Sequence, residues 1–367
     1  MKKRLLSLVL ALLMLLSLQP ACLAAEAGEE TGLSEIDAII LHKAGNLLKI
    51  AATDPETFGV DGIDYSDLAL GRGIPTYMAT DNGYTQTSVY YYPIYSGGTL
   101  FALVLANIED AENISVGFTT TSASELDQFI ENHSSLVILS GEYTAYAYSG
   151  GEYAAISEIP KNAVQAQNMT ALDVEEVSAD VIAPISLNAE MPYATLPPGY
   201  PSYSLMDIQI YTQEENSKYC WACCIVSAGH YETGSNSWAP KDLAADFYKN
   251  WEKGGPKITT YPAALRKYYN VYGYLAYDEA IKYPALKEKL NKRHPVICAF
   301  LLSNGNRHAI MAYGWYEYEN LAENYVAYMD PLCSSAYIGS VNEYFNSLEY
   351  LSPYGNSGVL EGYVCHS

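Results

Sequence analysis

Positively charged residues are scarce in this chain of 367 residues. It contains 20 Lys and Arg residues against 42 Asp and Glu residues, and its formal net charge is −22 at pH 7. Proteins that bind nucleic acids neutralise phosphate groups with Lys and Arg, so this charge argues against nucleic acid as a partner. Beyond the N-terminal segment, the chain also lacks a run of about 18 apolar residues. We therefore expect no stable membrane span in the mature protein.

Cysteine is absent from residues 26–200. After Cys22, the remaining cysteines all lie in the C-terminal half, at Cys220, Cys223, Cys224, Cys298, Cys333 and Cys365. An oxidising compartment permits disulfides, and we expect one or two, with Cys333 to Cys365 as the first candidate. A zinc site is the rival interpretation, but Cys223 and Cys224 are adjacent, and the sequence offers no second C-x-x-C with which they could pair as a zinc knuckle. The sequence therefore predicts neither a metal nor another cofactor.

The first 25 residues have the pattern of a secretory signal peptide. Three basic residues precede an apolar run over residues 5–18, and small residues follow it. This pattern predicts a secreted protein. Cys22 directly follows Ala21, which raises the alternative of a cell-surface lipoprotein, but Gln19 stands where such a signal usually has Leu.

Charge and composition divide the rest of the chain. Residues 26–200 hold 25 acids and 4 bases, a net −21, whereas residues 201–367 hold 17 acids and 13 bases, a net −4. We predict an N-terminal module over residues 26–160, a proline-containing linker over 161–204 and a second domain over 205–367. Residues 241–293 carry 11 bases and 6 acids, so the acidic module could dock on that stretch. A plainer explanation of the acidic charge is that it only makes the protein more soluble.

Hydrophobic periodicity predicts an α+β fold in both halves. In the N-terminal module, Ser34 begins an amphipathic helix, and several short strands follow as an antiparallel sheet, interrupted by a helix near residues 123–132. In the second half, a strand near residues 207–212 precedes the helices, and further strands follow them. Within the linker, the apolar group at residues 180–187 could also form an extended strand.

Three residues of the second half could form a nucleophilic site. Asn216 and Ser217 are suitable N-cap residues, which would place Cys220 in the first turn of a helix, where the dipole favours a thiolate. His308 begins an alternating apolar strand and suits a general base. Asp330 ends a later strand, where its carboxylate could orient the imidazole. Taken singly, a disulfide, a surface histidine and an Asp-Pro turn would explain the same three residues.

Three other histidines compete for the role of base. His230 lies ten residues after Cys220 in the same helical run, about 15 Å away at the helical rise, which is too far for proton transfer. His294 precedes Pro295 and is typical of a loop, and His366 lies at the end of the chain.

The chain resembles the papain-like cysteine peptidases over residues 205–367. The motif of Gln213 followed by Cys220, Trp221 and Ala222, with His308 and Asp330 downstream, is similar to that of compact bacterial branches such as double-glycine leader peptidases and staphopain-like enzymes. The resemblance implies a papain-like domain of helices plus an antiparallel sheet. It also implies Cys220 as nucleophile, His308 as base, Asp330 as orienting residue and Gln213 as oxyanion donor.

Together these observations predict a secreted cysteine endopeptidase made as a zymogen. Its substrate would be a protein or peptide, and its N-terminal module would serve as a propeptide that inhibits the catalytic domain. Alternatives from the same residues are a transglutaminase-like acyltransferase, an accessory module that is retained in the active protein, and a catalytically silent surface or adhesion protein.

Overall fold

The protein is a mixed α+β structure built on a large, mostly antiparallel sheet. The computed structural model describes residues 33–80, 83–141, 144–156, 172, 174–187, 201–214, 217–277, 281–318, 323–342, 347–353 and 355–366. The predicted signal peptide and the predicted lipoprotein cysteine, Cys22, lie outside these residues, as does much of the predicted linker. Within the described part of the chain, no helix is long and apolar enough to cross a membrane.

Six α-helices are described, two in the first half and four in the second. They are α1 (Glu35–Ala51), α2 (Ala123–Ile130), α3 (Cys220–Thr233), α4 (Pro240–Phe247), α5 (Tyr261–Tyr269) and α6 (Tyr283–Asn291). Helix α1 begins as the sequence predicts, because the Ser34 side chain accepts a hydrogen bond from the backbone N–H of Asp37. A proline in the first turn of α4, α5 and α6 supplies a backbone angle that suits a helix start.

The strands of the first half are β1 (Leu68–Gly71), β2 (Ile74–Thr80), β3 (Gly83–Ser96), β4 (Thr99–Ile108), β5 (Ile114–Thr119), β6 (Val137–Ser140), β7 (Ala145–Ser149), β8 (Glu152–Ala155) and β9 (Val181–Ile185). Those of the second half are β10 (Ser202–Leu205), β11 (Gly273–Tyr277), β12 (Val296–Leu302), β13 (Arg307–Tyr318), β14 (Glu323–Met329), β15 (Tyr337–Asn342), β16 (Ser347–Leu351) and β17 (Ser357–His366).

The pairings of β12 to β17 close on themselves in the second half. Each of these strands pairs antiparallel with the next, and β17 pairs back with β12. In the first half, β2 to β5 and β6 to β8 form antiparallel neighbours, and β2 and β6 join them through a parallel pairing. The ring of β12 to β17 is the framework that positions the candidate site.

The two halves share one sheet and one core. Strand β5 of the first half pairs with β15 of the second, with Phe118 opposite Ile338 and Gly117 opposite Gly339. A single cluster of buried apolar side chains contains residues of both halves, among them Leu47, Phe118 and Tyr316. Helix α1 therefore packs into the same hydrophobic interior as the ring strands.

Polar contacts also join the halves. Asn46 donates a hydrogen bond to Glu323 at 2.8 Å, and Lys43 lies 3.6 Å from the same carboxylate. By contrast, ion pairs of the basic stretch 241–293 join acids of the second half, as in Lys241 to Glu214 and Lys287 to Glu317. Apolar packing and strand pairing, more than attraction between charged surfaces, thus hold the acidic half in place.

One segment differs from the sequence prediction, and in a second the structure decides between two alternatives that the sequence left open. Residues 207–212 form no regular strand; the segment is held instead by side chains, since Ser227 donates to the Gln209 carbonyl. Within the predicted linker, strand β9 pairs antiparallel with β1, with Leu68 opposite Ile185. The apolar group at residues 180–187 therefore belongs to the sheet of the first half.

Candidate active site

Helix α3 carries Cys220 as its first residue. The cap residue is Tyr219, which makes no side-chain capping bond. The N-cap role predicted for Ser217 is therefore wrong, and Asn216 lies outside the described residues; Ser217 instead closes a turn onto the Glu214 carbonyl. The helix is buried from Cys220 through Gly229 because it is apolar on all sides and lies between the sheet and the helices α4 and α5.

A short hydrogen bond joins His308 to Asp330. His308 is the second residue of β13, and Asp330 directly follows the neighbouring strand β14. Nε2 of the imidazole lies 2.7 Å from Oδ1 of the carboxylate, and both side chains are fully buried. This contact fixes the imidazole so that its other nitrogen, Nδ1, remains available to a third group.

Cys220 is that third group. Burial alone would raise the pKa of its thiol, but the charge and hydrogen bonding of His308 outweigh burial and lower it. Backbone hydrogen bonds from Ala309 and Trp221 act in the same direction. Nδ1 of His308 is buried and makes no hydrogen bond of standard geometry within the described chain, so its contact with the thiol is looser than the contact of Nε2 with Asp330.

The pKa values of the three groups favour a charged pair. Burial lowers the pKa of His308, but Asp330 and Cys220 overcome this effect and raise it to about 10. Burial raises the pKa of Asp330. The charge of His308 and the hydrogen bonds from His308, Tyr350 and Leu332 have a larger, opposite effect, so the pKa lies below its usual value. Each of these directions favours a thiolate beside an imidazolium over a neutral thiol beside a neutral imidazole.

Tyr350 is a site residue that the sequence analysis missed. Its hydroxyl donates a hydrogen bond to Oδ2 of Asp330, and its ring lies 5.6 Å from the imidazole of His308, centroid to centroid. Burial and the charge of Asp330 raise the pKa of Tyr350, so the phenol keeps its proton as a donor. Among 35 tyrosines, no sequence signal distinguishes this one.

Gln213 lies beside the same group. Its backbone N–H donates to the carbonyl of Pro331 at 2.9 Å, which places it next to Asp330. Its side-chain amide donates to the Ser217 carbonyl at 3.4 Å, one turn before Cys220, and its Oε1 is buried without a partner among the described residues. The oxyanion role remains a prediction that this placement permits.

The other cysteines lack these partners. Cys223 and Cys224 lie in the same helix, and burial raises the pKa of both thiols well above the usual value. The predicted disulfide between Cys333 and Cys365 is not formed, and all six cysteines from Cys220 onward are buried thiols. Cys365 lies in β17 opposite Val296 and Tyr274, so its neighbours there are strand residues of β12 and β11.

The competing histidines lie away from Cys220. His230 is in the third turn of α3, and neither its ring nor those of His294 and His366 contacts the thiol. His294 and His366 instead lie against each other, with ring centroids 4.7 Å apart. Of the described histidines, His308 is the one that the fold brings to Cys220.

In comparisons with models of protein families and with curated proteins, no match to this chain is found. A thiol with a lowered pKa, an imidazole and a buried carboxylate can together form a nucleophile, a proton carrier and an orienting group. Cys220 is 9 % exposed and His308 is 1 % exposed, so little of either side chain is open to solvent.

Proposed function

We propose that this chain is a secreted cysteine endopeptidase with a papain-like catalytic domain in its second half. The observation that carries the proposal is the position of His308 between Cys220 and Asp330. A 2.7 Å hydrogen bond to Asp330 holds the imidazole in place, and the imidazole lowers the pKa of the Cys220 thiol. The position of Cys220 at the start of a buried helix adds support, because helix N-termini stabilise a thiolate.

Each group has one task in the proposed reaction. The thiol of Cys220 gives its proton to Nδ1 of His308, and the sulfur attacks the carbonyl carbon of the peptide bond. The imidazolium then protonates the departing amine, which leaves a thioester on Cys220. A water molecule gives its proton to the imidazole and attacks the thioester, which releases the acid and restores the thiol. Asp330 holds the imidazole and stabilises its positive charge throughout.

Gln213 would complete the oxyanion hole. The carbonyl oxygen becomes negative during attack, and a donor amide aimed at it can contribute about 2.7 to 4 kcal/mol. Gln213 lies between Pro331 and Ser217, next to both the carboxylate and the start of helix α3. For this role its Nε2 must exchange the long bond to Ser217 for the substrate oxygen. The backbone N–H groups at the start of α3 would be the second source of donors.

The buried site supports latency. Cys220 is 9 % exposed in the full chain, which restricts the access of an extended peptide to the sulfur. We propose that residues 26–160 act as a propeptide, that cleavage within residues 161–204 starts activation, and that residues 205–367 carry the activity.

The decisive experiment compares the full chain with its Cys220→Ala variant. We expect the variant to lose casein hydrolysis and cleavage of its own linker. Cys223→Ala is the matched control, because this thiol lies in the same helix and the raised pKa keeps it protonated. Activity that survives in Cys220→Ala would exclude the proposed nucleophile.

The same assay separates the two alternative functions. An acyltransferase would pass the acyl group from Cys220 to an added primary amine, which mass spectrometry detects as an amide product. A silent surface protein would give neither hydrolysis nor transfer after linker cleavage, and its Cys220 would not react selectively with an alkylating probe at mildly acidic pH.

A further inference from the structure

A second cluster of chemically active side chains lies at the other end of helix α3. Glu232 is in the last turn of this helix, His294 lies in the loop before β12, and His366 is the last residue of β17. Glu232 is twelve positions after Cys220, which corresponds to about 18 Å along the helix axis. The cluster is therefore separate from the proposed catalytic group.

The three side chains point their ligand atoms at one another. Oε1 of Glu232 lies 3.2 Å from Nδ1 of His294, and Oε2 lies 3.7 Å from Nδ1 of His366. The two Nδ1 atoms are 3.3 Å apart, and one ligand atom from each residue can be chosen so that all lie within 4.8 Å of one another.

These separations fit a tetrahedral metal ion. Zinc binds imidazole nitrogen and carboxylate oxygen at about 2.0 to 2.2 Å, so neighbouring ligands of a tetrahedron are about 3.3 to 3.6 Å apart. The closest contacts between the three side chains, 3.2, 3.3 and 3.7 Å, scatter around that value, with a different oxygen of Glu232 facing each imidazole. Two imidazoles and a carboxylate are also a donor set that first-row transition metals prefer, whereas Ca²⁺ and Mg²⁺ take oxygen ligands.

The surroundings leave room for a fourth ligand. The side chains of Glu232, His294 and His366 are 13 %, 27 % and 32 % exposed, so the cluster lies at the surface and water can reach it. The two rings meet at 66° instead of stacking face to face. Without a cation, one imidazole must carry a proton on Nδ1 to relieve the contact between the two nitrogens.

We propose that Glu232, His294 and His366 form a binding site for a divalent first-row transition metal, with Zn²⁺ as the best fit. The ion would join three separate elements: the C-terminal end of α3, the start of β12 and the end of β17. Its effect would be to fasten the helix that carries Cys220 to the sheet. This site stands independently of the proposed peptidase activity.

The test uses the full chain with Cys220→Ala, so that the catalytic thiol cannot compete for the metal. Calorimetric titration with Zn²⁺ should give one site per chain, and Co²⁺ should give the visible absorption of a tetrahedral complex. His294→Ala, His366→Ala and Glu232→Gln should each weaken Zn²⁺ binding at least tenfold. Replacing a residue that only supports a metal ligand already weakens binding by about tenfold or more, so the loss of a ligand should cost at least as much. Ca²⁺ and Mg²⁺ should not bind at this site.

His230→Ala is the matched control, since this residue precedes Glu232 by two positions on the same helix and lies outside the cluster. It should bind Zn²⁺ as the parent does. Glu232→Gln keeps the shape of the side chain, so weaker binding with an unchanged melting temperature of the metal-free protein reports a lost ligand and not lost folding. The absence of saturable Zn²⁺ binding, or equal binding by the parent and the three ligand variants, would overturn the proposal.

Discussion

At the scale of single residues, the candidate site shows how neighbours decide the chemistry of a buried thiol. Cys220, Cys223 and Cys224 lie within two turns of one helix, and all three are buried. Burial opposes ionisation in each of them, yet the pKa falls only for Cys220, because only its thiol has the imidazole of His308 beside it. One of three similar residues is thereby set apart as the candidate nucleophile.

This contrast predicts selective alkylation at mildly acidic pH. An ordinary thiol with a pKa of about 8.5 is only about 0.3 % ionised at pH 6. Cys220, whose pKa is lowered, should react with iodoacetamide at pH 6 well before the other cysteines, as peptide mapping by mass spectrometry would show. His308→Ala should slow this reaction at least tenfold. If Cys220 instead gains reactivity only above pH 8, it has no imidazolium partner.

Tyr350→Phe should weaken the hold of Asp330 on the imidazole of His308, because it removes one hydrogen bond to the carboxylate and leaves the carboxylate in place. A hydrogen bond to a charged group contributes about 1.5 to 3 kcal/mol, so we expect a fall in kcat/KM of about tenfold or more. The pKa of Asp330 in the folded protein lies below its usual value of 3.8. The ionised carboxylate therefore stabilises the folded protein above pH 3.8, and this stabilisation is lost as the pH falls through the pKa of the folded state. Loss of the Tyr350 donor raises the folded pKa.

The acid limb of the pH–rate profile should therefore move to higher pH in Tyr350→Phe. Tyr328→Phe is the control, because this tyrosine is also buried and its hydroxyl has no hydrogen-bond partner among the described residues. An unchanged profile in Tyr350→Phe, or an equal shift in both variants, would show that the hydrogen bond to Asp330 has no part in the reaction.

The sequence predicted the candidate site better than the side chains that surround it. Cys220, His308 and Asp330 were predicted from their order and from their places at the ends of a helix and two strands, and the fold brings them together. Tyr350 was not, because its role depends on β16 pairing with β15 and β17, a long-range arrangement that no local pattern encodes. The cluster of Glu232, His294 and His366 was missed for the same reason: its members are far apart in sequence and meet only through the sheet.

At the scale of elements, helix α3 owes its position to a close contact with α5. Gly229 faces the ring of Tyr269, and a Cβ atom at position 229 would lie 2.2 Å from that ring. The absence of a side chain therefore lets the two helices approach. This packing fixes the helix that presents Cys220 at one end and Glu232 at the other.

Gly229→Ala should consequently destabilise the protein. Overpacking of a filled core costs about 1 to 3 kcal/mol, which exceeds the gain in helix propensity from alanine of up to about 1 kcal/mol. The free energy of unfolding from denaturant titration measures the difference. Gly254→Ala is the matched control, since a Cβ there meets nothing within 4 Å. Equal stability of the two variants would mean that α5 is not packed tightly on α3.

Local signals predicted most helices but not all of their limits. Ser34 and the prolines of α5 and α6 mark helix starts through their own chemistry, and the structure places helices there. At α3 the local signal is misleading, because the cap is Tyr219 and not the predicted Ser217, and the stability of the helix comes from burial. Likewise, residues 207–212 have the alternation of a strand but take their hydrogen bonds from side chains instead of a neighbouring strand.

At the scale of the whole molecule, the proposed propeptide is part of the sheet and the core. Asn46 and Lys43 contact Glu323, and β5 pairs with β15. Removal of the first half would expose the edge of β15 and much of the shared apolar cluster to water. The sequence predicted two modules and a linker from composition, but composition carries no information about how closely two modules pack.

A cut in the linker should therefore leave the two halves associated. We expect the full chain with a specific protease site inserted between residues 188 and 200 to elute as a single species after cleavage, and to separate only in denaturant. Casein hydrolysis should rise after the cut if activation begins there. Elution of two independent fragments at micromolar concentration would contradict the shared core, whereas association without increased hydrolysis would contradict only the inhibitory role.

The pairing of β5 with β15 also bears on how the chain reaches its folded state. Val116 donates its backbone N–H to the hydroxyl of Ser340 across a separation of 224 residues. Contacts between such distant positions form slowly during folding, because a long loop of chain must close first. The N-terminal half leaves the ribosome first. We therefore expect β5 to be formed before β15 is synthesised and to guide the pairing of β15 and the strands that follow it.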